Sequence, residues 1–421
     1  MTARQSDKIL CTSDNQYYSM FMDEQFWREA REQMLLDTGS INFNAGTLSP
    51  TPKTVFEAVT NLRRRQADSP SDFHWRQVQP LLARSRGRLA QYLNVAPNDL
   101  VLLPNVTYAI NIVMESLRLP AGSEILTTDH EYGAMLFCLQ RYAKQHNCTV
   151  RAVKLPYRAK DPQEIVDAVA AGFTLNTRLL FFSHCTTTTG LILPARGLTE
   201  LARQKGDALV LIDGAHAPGM IPLDLAEIGA DFYGANCHKW MMAPCGSGFL
   251  HVAPQRKPMV ESMITSWGWD YDHAKRDEDS GWGGTFWHRE LEFHGTLDRT
   301  PQMVIADALD FRDSLGGDRP IESRYRQLTD YARKKLTDIG LTCVNPLDPR
   351  LTGCLLAFEF PCDDPIRIRD LMWFEHHIEC PVTVTDAGGK FLRVSCAWFN
   401  TFDEVDRLAA AVRRVLDVPG P

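Results

Sequence analysis

Asp231-Phe-Tyr-Gly-Ala-Asn-Cys-His-Lys-Trp-Met-Met-Ala-Pro-Cys-Gly-Ser-Gly248 sets one amine, Lys239, among apolar and small residues. Taken alone, a lysine in that setting is more often a surface residue whose stem lies along apolar neighbours while its ammonium reaches water. Asp213 reverses the odds. It ends the apolar run Ala208-Leu-Val-Leu-Ile-Asp213 and is followed by Gly214-Ala-His216. Both runs read as buried strands, and ligands of open α/β sheets gather at the carboxyl ends of such strands. A carboxylate at one strand end and an amine 26 residues later at a second strand-to-loop transition form a chemically matched pair. The amine can condense with a carbonyl and the carboxylate can hold a ring nitrogen protonated.

Outward from this pair, strand-like and helix-period stretches alternate from about residue 80 to 252 in the manner of a doubly wound α/β sheet. Strands are expected at Glu124–Leu126, Thr149–Leu155, Arg178–Ser183, Ala208–Asp213, Phe232–Ala235 and Gly248–Val252. Helices are expected around Arg84–Leu93, Ala109–Leu117, Ala134–Gln145, Pro162–Ala171 and Ala195–Lys205, intervals that suit right-handed crossovers. Residues 253–295 break the pattern, with Trp267, Trp269, Trp282 and Trp287 in a stretch rich in Gly, Asp and His. So much aromatic surface must pack on its own core, on a subunit or on a substrate. One helix is expected from Pro301 to about Leu315, stopped by Gly316-Gly317. Strands near Leu355–Phe360 and Phe391–Ser395, with helices near Asp364–His376 and Asp403–Leu416, read as a smaller α+β domain. The expected division is a segment 1–43 that crosses back onto the small domain through Phe21, Phe26, Trp27, Leu35 and Leu36, a large domain 44–300, and a small domain 301–421.

Composition excludes several classes. With 421 residues and 44% hydrophobic content the chain can bury a large core. A net charge of −7 gives nucleic-acid binding no electrostatic support, and the one dense basic run, Arg63-Arg-Arg65, reads as a solvated helix face. No run approaches the ~18 apolar residues of a membrane span, and the start has no apolar signal core, so a cytoplasmic protein is expected. The 11 cysteines form no Cys-x-x-Cys pair, and His376-His377 has no partner at zinc-ligand spacing. No metal is expected, and the thiols are read as reduced and mostly buried. Neither nucleotide-binding glycine motif is present.

A phosphate cradle completes the chemistry. In Pro104-Asn-Val-Thr-Tyr-Ala-Ile110 a loop opens into a helix, where backbone N–H groups from Val106 and Thr107 and the Thr107 hydroxyl can hold a phosphate dianion. Plain N-capping by Asn105 or Thr107 is the competing explanation. His238 can add a hydrogen bond to phosphate, and His216 can reach the phenolic oxygen of a pyridine ring held over Asp213. Lys239, Asp213 and this cradle together are what pyridoxal 5′-phosphate requires.

In this order the blocks Asn105-Val-Thr107, Asp129-His-Glu-Tyr-Gly-Ala134, Ser183-His-Cys-Thr-Thr-Thr-Thr-Gly190, Asp213-Gly-Ala-His216, Cys237-His-Lys-Trp240, His294-Gly-Thr296 and Leu392-Arg-Val-Ser395 resemble the fold-type I pyridoxal-phosphate enzymes, within them the class V aminotransferase and cysteine desulfurase group. Asn42-Phe-Asn-Ala-Gly-Thr47, the His-Glu-Tyr-Gly-Ala block and His216 are most similar to the isopenicillin N epimerase branch, which also includes enzymes trimming cysteine S-conjugates in lincosamide biosynthesis, a part of secondary metabolism. The resemblance implies a large domain with a mostly parallel seven-stranded sheet and a smaller α+β C-terminal domain. It implies that His130 or Tyr132 stacks on the pyridine ring, that Thr187 contacts ring or substrate, and that Asn236 and His238 join Thr107 around the phosphate. It further implies that Thr296 reaches the phosphate site of a neighbouring subunit in a homodimer with shared active sites. Arg393, assisted by Asn44, takes the role of gripping the carboxylate of an amino-acid substrate, a task suited to guanidinium geometry.

One departure bears on function. Cysteine desulfurases carry a nucleophilic cysteine on a loop before the arginine block, whereas Val382-Thr-Val-Thr-Asp-Ala-Gly-Gly-Lys390 has none, and Cys380 before it reads as a buried strand residue. Persulfide chemistry is therefore not expected. Lys239 is expected to remove the α-proton as general base, giving a quinonoid whose fate the residues leave open. A carbon–sulfur lyase acting by β-elimination on a bulky cysteine S-conjugate is ranked narrowly ahead of an epimerase. A decarboxylating oxidative deaminase and an aminotransferase follow. A non-enzymatic, cofactor-binding regulator would need a separate DNA-binding domain, for which the chain has neither basic composition nor spare length.

Overall fold

The computed structural model describes residues 23–206, 208–385 and 388–416. Phe21 of the expected N-terminal contact lies outside them. Among these described residues thirteen strands occur in chain order: β1 Ile41–Asn42, β2 Leu100–Leu103, β3 Glu124–Thr128, β4 Thr149–Val153, β5 Thr177–Ser183, β6 Leu209–Asp213, β7 Phe232–Asn236, β8 Gly248–Val252, β9 Thr342–Cys343, β10 Leu355–Glu359, β11 Ile378–Glu379, β12 Val382–Val384 and β13 Lys390–Ser395. The large sheet has seven strands in the order β2-β8-β7-β6-β5-β3-β4, parallel except that β8 runs antiparallel to both neighbours. The mostly parallel seven-stranded sheet expected from the resemblance is thus present. Its seventh strand is β2, whose short run Leu100-Val-Leu-Leu103 the pattern does not separate from a helix segment.

Successive residues of each strand face opposite sides of the sheet. On β6, Leu211 packs with Phe181 and Phe232 in one apolar cluster, while Ile212 packs with Phe182 and Tyr233 in another. Asp213 has the parity of Leu211 and is paired in register with Ser183 on one side and Gly234 on the other. Gly234 matters here. A Cβ at that position would lie 2.8 Å from the Ala109 Cβ, so the missing side chain lets the helix Val106–Ser116 lie against the sheet with its first turn close to the ends of β6 and β7. Gly248 does the same for the turn itself, since a Cβ there would meet the Asn105 backbone at 2.8 Å.

The second sheet is antiparallel, in the order β12-β13-β10-β9. It shares an apolar cluster with the helices Asp318–Asp338, Pro365–His376 and Phe402–Leu416. β1 pairs parallel to β11, and Asn44 bridges to Ser395, so the chain entering the large sheet first runs along the small one. The helix Glu24–Glu32 docks there too: Trp27 packs on Trp398 and Arg31 is paired with Glu404 at 2.6 Å.

One expected helix differs from the structure, and one long helix was not expected at all. The single helix over Pro301–Leu315 is two, Thr300–Met303 and Ile305–Ser314, broken at Val304. The 21-residue helix Asp318–Asp338 follows Gly317, which takes a left-handed φ of 79°. Arg63, Arg64 and Arg65 lie exposed on the helix Lys53–Asp68, as the composition suggested. No helix among the described residues is long and apolar enough to cross a membrane.

Candidate active site

Asp213 and Lys239 come together at the carboxyl ends of β6 and β7. Asp213 is buried. Its Oδ1 accepts from the Ala215 amide at 2.8 Å, while no donor among the described residues is recorded at Oδ2. Burial raises its pKa, opposed by the Ala215 hydrogen bond and by Lys239. Lys239 is held down to about 8 by burial, against the pull of Asp213. An amine at that value is partly neutral near physiological pH, the state a general base or nucleophile requires.

His216 links Lys239 to the loop after β5. The Trp240 indole N–H donates to Nδ1 at 3.4 Å, and an indole nitrogen can only donate. The proton therefore sits on Nε2, which lies 3.2 Å from both the Lys239 Nζ and the Thr187 Oγ1. Burial first, then the charges of Lys239 and Arg393, hold His216 well below the ordinary imidazole value and thus neutral. The network is a neutral imidazole presenting one N–H to an amine and a hydroxyl.

The first turn of the helix Val106–Ser116 is partly occupied. The Val106 amide donates to the Asn236 Oδ1 at 2.9 Å and the Tyr108 amide to the Asn105 Oδ1 at 3.0 Å. Thr107 is exposed, and among the described residues neither its hydroxyl nor its amide has a hydrogen-bond acceptor. Asn236 and Val106, expected beside the phosphate, thus hold each other, and Asn236 fixes the turn through its side-chain oxygen. His238 donates from Nδ1 to the Ser247 carbonyl at 3.1 Å, because a carbonyl only accepts. Burial pushes this imidazole down to about 4. Its Nε2 meets a phosphate as an acceptor unless the anion brings a proton with it.

At the other end of the site, Arg393 of β13 is buried and has no carboxylate partner among the described residues. Nη1 donates to the Thr187 carbonyl at 3.1 Å, and Nη2 to Asn44 Oδ1 at 2.6 Å and Thr47 Oγ1 at 2.7 Å. Nε is buried with no hydrogen-bond partner among the described residues. Burial lowers this guanidinium to about 10, a cost that a bound carboxylate would offset. Asn44 is oriented in turn by donating to Glu379 at 2.8 Å.

His130 and Tyr132 differ. His130 is buried, with its ring 4.5 Å from that of Tyr157 and Nδ1 3.2 Å from Thr189 Oγ1. Tyr132 is 49% exposed and makes no side-chain hydrogen bond among the described residues. Between them Glu131, not singled out from sequence, turns back into the sheet. It accepts from the Ser183 amide and hydroxyl at 2.9 and 2.6 Å and from Thr128 Oγ1 at 2.6 Å, and burial raises it to about 8. Thr47 was also missed, although it closes the Asn42–Thr47 block. Thr296 is exposed and its side chain makes no hydrogen bond among the described residues, while the nearby His294 stacks on Tyr108. Cys380 is buried, as expected, but lies in the link between β11 and β12 rather than in a strand, with its thiol toward the Arg393 carbonyl. Of the loop tryptophans, Trp287 is core and Trp282 packs edge-on against Trp75 and Phe293, while Trp267 is 77% exposed.

An open carboxylate oxygen over a strand end, a depressed lysine, a free amide and hydroxyl at a helix N-terminus and a buried guanidinium without a counter-ion fit pyridoxal 5′-phosphate and an amino-acid carboxylate. They define a fold-type I pyridoxal-phosphate enzyme. A family model for class V aminotransferases matches residues 41–408, and the chain belongs to that family, with pyridoxal 5′-phosphate as its cofactor. It is 42% identical to an isopenicillin N epimerase of Streptomyces clavuligerus over 92% of this chain and 97% of that one. It is 41% identical to that of Amycolatopsis lactamdurans, over 92% and 98%. An L-cysteine desulfhydrase of Arabidopsis thaliana is 24% identical over 90% and 88%. Among solved structures, the cystine C–S lyase C-DES in complex with cysteine persulfide shares the fold at a TM-score of 0.77 and 23% identity, over 89% of this chain and 98% of that one.

Proposed function

We propose that the chain is an epimerase acting at the α-carbon of a bulky amino-acid substrate of the isopenicillin N kind, working as a homodimer with shared sites. The observation that carries this reading is the 41–42% identity to two isopenicillin N epimerases over nearly their full lengths. Pyridoxal 5′-phosphate supplies, when bound, the electron sink for charge left at the α-carbon. Asp213 would hold the proton of the ring nitrogen. Thr107 would hold the phosphate and His238 would accept from a protonated phosphate oxygen through Nε2, with Asn236 and Val106 keeping the turn in place and Thr296 of a second subunit completing the cradle. Arg393, with Asn44 and Thr47, would bind the substrate carboxylate. His130 would stack on the ring, backed by Tyr157. Lys239 would take the α-proton, its amine kept near neutral by burial and aligned by His216, with Thr187 beside it.

β-Elimination from a cysteine S-conjugate uses the same residues up to proton removal and then needs a leaving group on the β-carbon. Sequence alone ranks it first. The two epimerase relatives reverse that order, and more distant desulfhydrase relatives keep it as the reading to be separated. The test is to incubate the holoenzyme with isopenicillin N and with a panel of S-substituted cysteines. Formation of the epimer, without pyruvate or ammonia, is expected. Pyruvate and ammonia from an S-conjugate, with isopenicillin N untouched, would establish the lyase instead.

A further inference from the structure

The imidazole of His130 is enclosed, and its hydrogen bonding is sparse. Its side chain is wholly out of solvent, its ring lies 4.5 Å from that of Tyr157, and Nε2 is buried with no hydrogen-bond partner among the described residues. The Thr189 hydroxyl, 3.2 Å from Nδ1, makes the one hydrogen bond recorded there for the ring. A face contact alone lets an aromatic ring slide and turn, whereas a directional bond at one ring nitrogen fixes both its plane and its rotation.

The direction of that bond follows from its surroundings. Burial lowers the His130 pKa, so the ring is neutral, with one N–H and one acceptor nitrogen. A carboxylate oxygen of Asp129 stands 3.8 Å from Nε2, too far for a hydrogen bond but close enough to favour an N–H over a lone pair on that side. Nδ1 is then the acceptor and the Thr189 hydroxyl its donor. Further donors line up behind it: the Leu191 amide donates to Thr186 Oγ1 at 2.9 Å, and the Thr186 and Thr189 hydroxyls are 2.8 Å apart. Each hydroxyl thus accepts once and donates once.

The turn that carries these hydroxyls is clamped to the small sheet. Gly190 takes a left-handed φ of 67°, and a Cβ there would lie 2.3 Å from the Leu355 carbonyl oxygen of β10. Asn345, itself buried, donates to the Thr189 carbonyl at 2.7 Å and accepts from the Ala357 amide at 2.7 Å. Two residues before Thr189, the same turn reaches the lysine side of the site, where Thr187 Oγ1 meets His216 and the Thr187 carbonyl accepts from Arg393. The Thr189 oxygen is therefore held in a fixed place relative to both ends of the site, as a group that orients another must be.

We propose that Thr189 is a positioning residue of the cofactor site: its hydroxyl, rather than its bulk, holds His130 in the orientation it presents to the cofactor ring. This rests on the reading above in which His130 stacks on that ring.

Two substitutions separate hydroxyl from bulk, since Thr189→Val keeps the shape and Thr189→Ser keeps the hydroxyl. The full-length protein and both variants, each with and without His130→Ala, are stripped and titrated with pyridoxal 5′-phosphate, and the visible circular dichroism of the bound cofactor is recorded. Thr189→Val should weaken cofactor binding roughly tenfold, the size expected when a buried ring nitrogen loses its donor, while Thr189→Ser stays within about threefold of wild type. The dichroic band should shrink in the valine variant and persist in the serine one. With His130→Ala in place, Thr189→Val should change neither quantity, because the coupling is lost with the ring. A valine variant that binds like wild type, a serine variant as impaired as the valine one, or a valine effect of equal size without His130 overturns the assignment. Unchanged binding and dichroism in His130→Ala alone overturns the stacking reading first, and the role of Thr189 with it.

Discussion

Replacing Lys239 with methionine in the cofactor-free protein should make it more stable, because the site holds an amine that the fold does not favour. Burial takes this lysine from 10.5 to about 8. At roughly 1.4 kcal/mol per pH unit, that fall corresponds to about 3 kcal/mol of native-state penalty. The sign follows from proton counting. Below about pH 8 the amine is protonated in both states and the full penalty is present. Between about 8 and 10.5 only the unfolded chain holds the proton, so stability rises with pH and the penalty fades. Methionine has similar length and fills such space flexibly. It gives up the contact to His216, worth about 1 kcal/mol, but the His216 N–H keeps Thr187 as a partner. The net expectation is a gain of about 2 kcal/mol near pH 7, shrinking to about 1 kcal/mol or less near pH 9. Urea denaturation of both stripped proteins, followed by tryptophan fluorescence at the two pH values, measures it. A methionine variant no more stable than wild type near pH 7, with no narrowing toward pH 9, would refute the claim that this amine is held in a desolvated site.

Three further outcomes follow from the site. Asp213→Asn should still bind the cofactor but lose about 10³-fold in α-proton exchange measured by NMR in deuterium oxide, since a buried charge-assisted hydrogen bond of several kcal/mol is removed. Arg393→Lys should raise KM by roughly 10²-fold with a smaller change in kcat, because an ammonium cannot serve Thr187, Asn44, Thr47 and a carboxylate at once. Mixing inactive Lys239→Ala subunits with inactive Thr296→Asp subunits should restore about a quarter of wild-type activity if the site is shared across a twofold dimer. No recovery despite subunit exchange would confine Thr296 to its own chain or to no cofactor role.

Lys239 and Asp213 were legible because Asp213 closes an apolar run and Lys239 follows three residues after a second strand ends, and apolar runs are a strong single-sequence sign of buried strands. β2 was not, because four apolar residues before Pro104 carry no period. The helix Asp318–Asp338 did carry one, in Ile321, Tyr325, Leu328, Ala332 and Leu336, but its many charges masked it. Arg393 was recognisable from its block. Its dependence on Thr47 was not, since the two meet only when β1 lies along β11 and the small sheet. The role of Glu131 within Asp129–Ala134 is not legible locally, as nothing in the block shows that its carboxylate takes the Ser183 amide beyond the point where β3 and β5 stop pairing. The different settings of His130, Glu131 and Tyr132 were likewise hidden, because three adjacent polar residues look equivalent until the fold buries His130 against Tyr157, turns Glu131 onto Ser183 and leaves Tyr132 half-exposed.

The most direct measurement is borohydride reduction of the holoenzyme followed by peptide mapping. The amine of Lys239, in the stretch from Cys237 to Trp240, should carry the reduced cofactor, and Lys239→Ala should retain none. An adduct on another lysine, or unchanged loading in Lys239→Ala, would contradict the site as described.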